Sequence, residues 1–270
     1  MTRRGLFLPP FDVLADPALV AELAAEAEEA GWDGVFVWDH LIYADPVREI
    51  ADPWICCAAI AAATSRIQLG PMVTPLSRRR PQVLARQAAS LDRLSGGRLV
   101  LGFGLGDDGR VGELSRFGEE TDAKARAAML DEGLGVLRGL LSGEPVDHDG
   151  PHAPARGVTF APAGTRPGGI PFWIGGRWPN KPPLRRAARH QGAFVIAVET
   201  PDDLAGARAV LADVRAAAGA GMDGFDLVVQ LGPGEDPAPW ADAGATWVLT
   251  QVGPYHLDLA EVRRVVRAGP

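Results

Sequence analysis

The sequence contains few of the residues that mark several classes of protein. Only 2 of its 270 residues are cysteines, the neighbours Cys56 and Cys57. Adjacent cysteines rarely bridge each other and offer no metal-ligand spacing, so a reduced, cytoplasmic setting is expected. Of the 5 histidines only His148 and His152 are close in sequence, and no HExxH motif occurs, so no metal site is predicted.

Basic residues and long apolar segments are also scarce. The chain carries 27 Lys and Arg against 34 Asp and Glu, a net charge of −7, and its longest basic run is 78–80. This balance disfavours a nucleic-acid partner. No apolar stretch approaches the length of a membrane-spanning helix, and prolines and an acid interrupt the apolar part of residues 1–16. We therefore expect neither a membrane partner nor a signal peptide.

What the chain does contain is a regular alternation of short apolar runs with helical runs. Its hydrophobic content of 47% suits a soluble protein with a sizeable core. The predicted strands centre on Leu6, Val37, Leu69, Leu101, Trp173, Val195, Val229 and Val248. Eight βα units in a chain of this length predict one α/β domain over residues 1–270, a (β/α)8 TIM barrel.

The alternation is predicted to lapse at residues 142–171, which are rich in Pro, Gly and His. We interpret this segment as an insertion before the fifth strand that lies across one end of the domain, because the alternation resumes afterwards. The rival to a barrel is a doubly wound open sheet. Such a sheet normally has a glycine-rich fingerprint after its first strand, where this chain has Pro9-Pro10.

The most informative stretch is 31–40, GWDGVFVWDH, in which a strand ends on Asp39 and His40. In parallel α/β proteins ligands collect at the carboxyl ends of strands, so this pair is expected at the edge of an active site. A hydrogen-bonded surface histidine is the plainer alternative. Tyr43 and Trp178 are expected near the mouth of the barrel, where each can pack against a flat ring.

Glycines follow two later strands. Gly104 and Gly106 precede Asp107, and Gly175 and Gly176 precede Arg177. Adjacent glycines expose backbone N–H groups and an arginine adds a bidentate fork, so the second cluster predicts a phosphate site. A tight turn is the plainer alternative.

Prolines bracket the end of the third strand, at Pro71 and Pro75. Proline cannot donate a hydrogen bond to a neighbouring strand, so this strand is predicted to bulge or to finish at Met72-Val73. An irregular strand end that points into a barrel mouth can shape a ligand site.

Taken in order, these segments resemble the bacterial luciferase-like superfamily of flavin- and coenzyme F420-dependent barrels. The resemblance covers residues 28–41, 51–106 and 170–180. It rests on an ordered series: Asp-His after strand two, TSRIQLG into strand three, DRLSGGRLVLGFGLG into strand four, and Gly-Gly after strand five. It implies the same (β/α)8 fold that the alternation predicts.

The resemblance also implies roles for individual residues. His40 would be the acid/base near the reactive face of the flavin ring, with Asp39 beside it in the catalytic pair. Met72-Val73 would carry a cis peptide that supports the ring. The implied cofactor-binding residues are Met72, Val73, Gly104, Gly106, Asp107, Gly175, Gly176 and Arg177. Tyr43 and Trp178 would stand in the substrate pocket.

These features predict a cytoplasmic oxidoreductase that uses reduced FMN, slightly favoured, or F420. It would act as a monooxygenase or transfer hydride to or from a small organic substrate. The resemblance implies a homodimer, and a separate flavin reductase is a candidate partner. Two alternatives remain: a flavin-binding barrel without turnover, acting as a carrier or sensor, and a barrel hydrolase that uses His40 and Asp107 without a cofactor.

Overall fold

The computed structural model describes residues 2–270. Its strands are β1 (Arg3–Leu8), β2 (Gly34–Val37), β3 (Gln68–Pro71), β4 (Thr74–Pro75), β5 (Leu101–Gly104), β6 (Val146–His148), β7 (Ala155–Val158), β8 (Phe172–Arg177), β9 (Gly192–Ile196), β10 (Asp226–Leu231) and β11 (Trp247–Gln251). Its α-helices are α1 (Pro17–Glu29), α2 (Pro53–Ala63), α3 (Pro81–Leu94), α4 (Ala123–Ser142), α5 (Lys181–Ala187), α6 (Pro201–Ala217), α7 (Ala238–Asp242) and α8 (Leu259–Ala268).

All strands except β6 and β7 belong to one parallel sheet, in the order β3-β2-β1-β11-β10-β9-β8-β5-β4. β3 and β4 are two parts of the third barrel strand, because only Met72 and Val73 separate them. β3 pairs with β2 and β4 pairs with β5, and a parallel bridge joins Leu69 to Leu99. The sheet therefore closes on itself. The predicted (β/α)8 barrel is confirmed, and each predicted strand centre lies in a barrel strand.

Large side chains fill the barrel interior. Phe7, Phe36, Met72, Val100, Trp173, Phe194, Val228, Trp247 and Leu249 form one buried cluster. Glycines make room for the rings: a Cβ on Gly192 would lie 2.4 Å from Trp173 Cδ1, and one on Gly34 would lie 2.9 Å from Phe36 Cε2. The lower barrel is thus a packed core rather than a pore, as is usual for this architecture.

The helices begin where capping residues indicate. Asp52 accepts hydrogen bonds from the N–H groups of Trp54 (2.8 Å) and Ile55 (3.0 Å) at the start of α2. Thr200 and Asp203 form a reciprocal capping box at the start of α6. These side chains accept hydrogen bonds from N–H groups that the first turn of a helix leaves without partners. They therefore determine the residue at which each helix begins.

The segment predicted to be irregular contains a small antiparallel hairpin of β6 and β7, so that prediction was wrong in detail. The hairpin is held from outside its own sequence, because Glu132 of α4 accepts from the N–H groups of His152 (3.0 Å) and Ala153 (2.7 Å). Farther along, Asp92 accepts from the N–H of Thr165 at 2.8 Å, beside the amino end of β5. The hairpin therefore packs against α4, and the later part of the insertion lies at the amino end of the barrel.

Cys56 and Cys57 are buried in α2, as core filling would require. Burial raises the pKa of the Cys56 thiol to about 12. Within residues 2–270, no helix combines the length and apolar content needed to cross a bilayer. The same part of the chain contains no group of three or more His, Cys, Asp or Glu residues arranged to hold a metal ion.

Candidate active site

A cavity of about 580 Å³ opens at the carboxyl ends of the barrel strands. This volume is within the range of small-molecule sites. The structure brings most of the predicted site residues together on its walls: Asp39, His40, Tyr43, Met72, Val73, Gly104, Gly106, Asp107, Gly175, Gly176 and Arg177. The residues predicted to bind a ligand at this end of the barrel therefore lie around one cavity.

His40 is held by a residue that sequence reasoning missed. Its Nδ1 lies 2.9 Å from Oε2 of Glu113, whose side chain is 3% exposed. The other oxygen of Glu113 accepts from the N–H of Leu41 at 2.5 Å and lies 2.9 Å from Nη1 of Arg78. Burial alone would raise the pKa of Glu113. The hydrogen bond and charge of His40, the charge of Arg78 and the Leu41 N–H outweigh burial, and they lower it.

This arrangement fixes the tautomer of His40. An ionised carboxylate only accepts hydrogen bonds, so the Nδ1 of His40 carries the proton and the Nε2 keeps its lone pair. The side chain of His40 is 30% exposed to the cavity. Within residues 2–270, the Nε2 forms no hydrogen bond with another group. A positioned base with a free lone pair in a partly enclosed cavity is suited to proton transfer.

Asp39 lies among basic side chains rather than beside the imidazole of His40. It is 2% exposed and accepts from Thr74 Oγ1 (2.7 Å), Arg78 Nη2 (2.5 Å) and Arg79 Nη2 (3.1 Å). Two guanidinium groups and a hydroxyl thus occupy its oxygens, and it does not pair with His40. Its position fits a support for Arg78 rather than a partner in proton transfer.

Four charged groups therefore form a continuous network behind His40, in which all but Arg79 have buried side chains: Asp39, Arg78, Arg79 and Glu113. Two negative and two positive charges balance, which is the condition under which buried ions are tolerated. In the sequence, residues 78–80 stand out only as the longest basic run. The sequence feature that could have indicated this network is the run of three arginines shortly after a strand end in an acidic protein. No sequence feature indicated Glu113, because 73 residues separate it from His40.

Gly175 and Gly176 were predicted to follow the fifth barrel strand, but both lie within that strand, β8. Gly175 pairs with Phe194 and Gly176 with Val195 of β9. The predicted turn is therefore part of a strand, and the phosphate-binding role of these two residues stays a prediction. A Cβ on Gly176 would lie 2.7 Å from Pro183 Cβ, which shows that this glycine allows the close approach of α5.

Gly175 has the opposite orientation and helps to form the cavity wall with Gly104. A Cβ would lie 3.1 Å from Val73 Cγ1 at Gly175, and 2.8 Å from Val73 Cγ2 at Gly104. Val73 therefore occupies the space that side chains at these two positions would fill. The Met72-Val73 peptide bond is cis, as predicted. The result is a wall of backbone and one small aliphatic side chain.

Trp178 is not part of the cavity lining. Its Nε1 donates to Asp203 Oδ1 at 3.0 Å, and a Cβ on Gly206 of α6 would lie 2.9 Å from its Cζ2. Side chains alternate along a strand, so the position of Trp178 has the outward parity of Gly176. The prediction that it stands in the substrate pocket was wrong for this reason.

Three loops meet at the mouth of the cavity. Arg110 Nη1 donates to the hydroxyl of Tyr255 at 3.1 Å, and its guanidinium carbon lies 5.5 Å from the ring centroid of Tyr43. The ring centroids of Tyr43 and Tyr255 are 5.9 Å apart. Asp107, close by, accepts from the N–H of Gly109 at 3.0 Å. Tyr43 is thus at the mouth, as predicted, while Arg110 and Tyr255 were missed.

The chain is similar to known proteins along most of its length. Residues 5–236 match the family model described as luciferase-like monooxygenase. The F420-dependent glucose-6-phosphate dehydrogenase of Beutenbergia cavernae is 34% identical over 193 residues, which cover 69% of this chain and 52% of that protein. The enzyme of the same name from Mycobacterium tuberculosis is 29% identical over 232 residues, covering 83% of this chain and 66% of that protein. The chain thus spans about half to two thirds of these relatives.

Two solved structures share the fold along nearly their whole length. An F420-dependent secondary alcohol dehydrogenase, in complex with an F420-acetone adduct, superposes with a TM-score of 0.83 at 18% identity, covering 98% of this chain and 97% of that one. A monooxygenase from Streptomyces bottropensis gives a TM-score of 0.81 at 22% identity, covering 99% and 97%. At these identities the likeness establishes the barrel and not the reaction.

Proposed function

The chain belongs to the luciferase-like monooxygenase family, and from that premise we propose that it is an oxidoreductase. It would hold F420, or alternatively FMN, in the cavity at the carboxyl ends of the strands. His40 would move a proton to or from a small organic substrate. The observation that carries this proposal is the free Nε2 of His40, turned to the cavity by the buried Glu113.

The order of the two cofactors follows the relatives. The sequence motifs do not separate FMN from F420, and the expectation from sequence slightly favoured FMN. Both curated relatives described above are named as F420-dependent dehydrogenases. We therefore propose F420 as the cofactor and FMN as the alternative. For the same reason, hydride transfer takes precedence over monooxygenation.

The residues present fit a cofactor of this kind. Gly104, Gly175 and Val73 form a wall without large side chains, against which a flat ring can lie. Arg110 and Arg177 supply guanidinium groups at the rim, and these suit a phosphate. When bound, the cofactor supplies the redox chemistry by accepting or delivering a hydride, whereas the protein supplies binding, orientation and electrostatics.

The protein's own contribution centres on one proton. As a hydroxyl is oxidised to a carbonyl, His40 Nε2 accepts the proton that leaves the substrate oxygen, and in the reverse direction it returns that proton. Glu113 accepts from Nδ1 in both charge states, so it keeps the ring oriented and stabilises the imidazolium. Phe11 and Tyr43 enclose the imidazole, with ring centroids 6.1 and 5.0 Å away, and help to exclude water.

The test is a titration of the purified protein with F420, FMN and reduced FMN, followed by absorbance and fluorescence. We expect saturable binding of F420, and weaker binding of both forms of FMN. Arg177→Ala should weaken F420 binding by roughly tenfold or more, because a charge-assisted hydrogen bond contributes about 1.5–3 kcal/mol. The matched control is Arg185→Ala, an exposed arginine on α5. A protein that binds none of the three compounds would contradict the proposal.

A further inference from the structure

We propose that the substrate of this cavity is a small neutral compound, and that the side-chain amides of Gln230 and Gln251 bind its hydroxyl or carbonyl oxygen. The inference rests on the proposed function, because it assumes that a redox cofactor occupies the glycine wall. It adds the chemical class of the substrate and two residues that determine specificity.

Both glutamines point into the cavity. Val228 of β10 and Leu249 of β11 belong to the cluster that fills the barrel interior. Gln230 and Gln251 follow these residues by two positions, so alternation turns their side chains to the same side, one layer nearer the mouth. Both line the cavity. Gln230 is in register with Leu249, so the two amides lie on neighbouring strands of one wall.

Neither amide has a partner inside the protein. Within residues 2–270, the side chains of Gln230 and Gln251 form no hydrogen bond, although both residues are partly buried. The indole Nε1 of Trp38, another lining residue, is buried and likewise unpaired in the described chain. Amides that find no partner in the protein are free to pair with water or with a bound molecule. Groups of this kind on a cavity wall indicate a ligand that pairs with them.

The surroundings of the amides define what that ligand is. Their wall is otherwise apolar, built by Phe7, Phe194 and Ile196. Each amide offers both donors and an acceptor, so the pair can bind an oxygen whether it is a hydroxyl or a carbonyl. An apolar wall with two neutral amides suits an uncharged molecule, since burying an anion there would require a cation as partner.

Positive charge is concentrated elsewhere in the site. Among the described residues that line the cavity, the arginines are Arg110 and Arg177, both at the rim, and no lysine is present. Arg110 is engaged by Tyr255 and stacks near Tyr43. The site thus separates a cationic rim, suited to a cofactor phosphate, from a neutral inner wall. The cavity of about 580 Å³ has to hold the cofactor ring as well as the substrate, which keeps the substrate small.

The experiment compares ligand binding to the F420-loaded protein and two variants, Gln230→Leu and Gln251→Leu. The neutral probes are cyclohexanol and cyclohexanone, and the anionic probe is glucose 6-phosphate. Ligand affinity is read from the shift in melting temperature and from F420 fluorescence, and F420 affinity is measured separately for every variant. Gln82→Leu, the same change at an exposed position on α3, is the control.

We expect a neutral probe to bind wild type more tightly than glucose 6-phosphate. Each Leu variant should weaken neutral binding by about tenfold, the equivalent of one hydrogen bond of about 1.4 kcal/mol. F420 affinity should stay within about twofold, because the amides lie away from the glycine wall. Gln82→Leu should change neither quantity.

Three results would overturn the inference. One is tighter binding of glucose 6-phosphate than of either neutral probe. Another is undiminished neutral binding in both Leu variants. The third is a loss of F420 affinity in those variants, which would assign the amides to the cofactor. Each leaves the proposed function intact as long as wild type binds F420. If wild type binds neither F420 nor FMN, the proposed function itself fails, and this inference fails with it.

Discussion

Two histidines, one at each end of the barrel, show how a partner determines what an imidazole can do. At the carboxyl end, His40 donates its Nδ1 proton to Glu113. At the amino end, the Nδ1 of His190 lies 3.2 Å from Nη2 of Arg138. A guanidinium only donates, so this Nδ1 must be the unprotonated acceptor. The two rings therefore carry their protons on opposite nitrogens.

The chemical consequences are also opposite. Glu113 can hold His40 in both charge states, which leaves Nε2 free to gain and lose a proton. Burial, together with the positive charge of Arg138, lowers the pKa of His190 to about 4. His190 is thus kept neutral in a structural contact. The comparison teaches that the histidine suited to catalysis is the one whose partner tolerates its charge, and the following predictions test this difference.

The largest expected effect follows from removing His40. His40→Ala should lower turnover by roughly 10²–10⁴-fold, because a positioned acid/base contributes about that much. F420 affinity should change far less, since the glycine wall and the rim arginines remain. Turnover is measured from F420 absorbance with the tightest-binding probe. His152→Ala, an exposed histidine of the insertion, is the control. Lost stability with normal activity in the folded fraction would make His40 structural.

The next effect follows from breaking the charged network behind His40. Arg78 pairs with both Asp39 and Glu113, and its side chain is 3% exposed. Arg78→Met would leave two buried carboxylates short of a partner, so the free energy of unfolding should fall by about 3–5 kcal/mol. Urea denaturation measures this value. Arg80→Met, at an exposed neighbouring position, should be almost neutral. Equal effects of the two substitutions would show that the network contributes little.

A smaller effect is expected at Gly104, where close packing at the carboxyl end of the barrel leaves no room for a side chain. Gly104→Ala places a Cβ 2.8 Å from Val73 Cγ2, so overpacking should lower the free energy of unfolding by about 1–3 kcal/mol. F420 affinity should fall too, because Val73 would be displaced toward the cavity. The control is Gly135→Ala on α4, where no atom lies within 4 Å and helix propensity favours alanine. Similar results for both variants would refute close packing at Gly104.

Much of this fold could be predicted from local pattern. The buried strands are short apolar runs, and the helices begin at capping residues such as Asp52 and Thr200, so sequence neighbours determine both. Local pattern failed where tertiary contact decides. Gly175 and Gly176 have low strand propensity, yet pairing with β9 and the close approach of α5 hold them in β8.

The site shows the same division. His40 and Tyr43 were found because they follow a strand end, where parallel barrels place ligands. Glu113, Arg78 and the two cavity glutamines were not found. Their roles depend on side-chain partners, or on the lack of partners, across long sequence separations. The resemblance to a known family supplied the cis peptide at Met72-Val73, which the bracketing prolines alone left open between a bulge and a strand end.

The smallest predicted effect tests the other histidine of the comparison, through the pH dependence of stability. The pKa of His190 is about 4 in the folded protein, against an ordinary value of 6.5. The folded state therefore binds fewer protons than the unfolded state. The contribution to stability is complete above the unfolded pKa, and it is lost as pH falls from 6.5 toward 4. Between about pH 6.5 and 5.5 the loss should be about 1 kcal/mol.

Other carboxylates also titrate as the pH falls, so the quantity to measure is a difference between two proteins. His190→Gln keeps an acceptor for Arg138 but cannot be protonated, and its unfolding free energy should fall less steeply with acidification than that of wild type. The gap between the two curves, measured by urea denaturation, should change by about 1 kcal/mol over this interval. Parallel curves would mean that His190 has an ordinary affinity for protons. The guanidinium of Arg138 would then not hold it neutral, and the contrast with His40 would disappear.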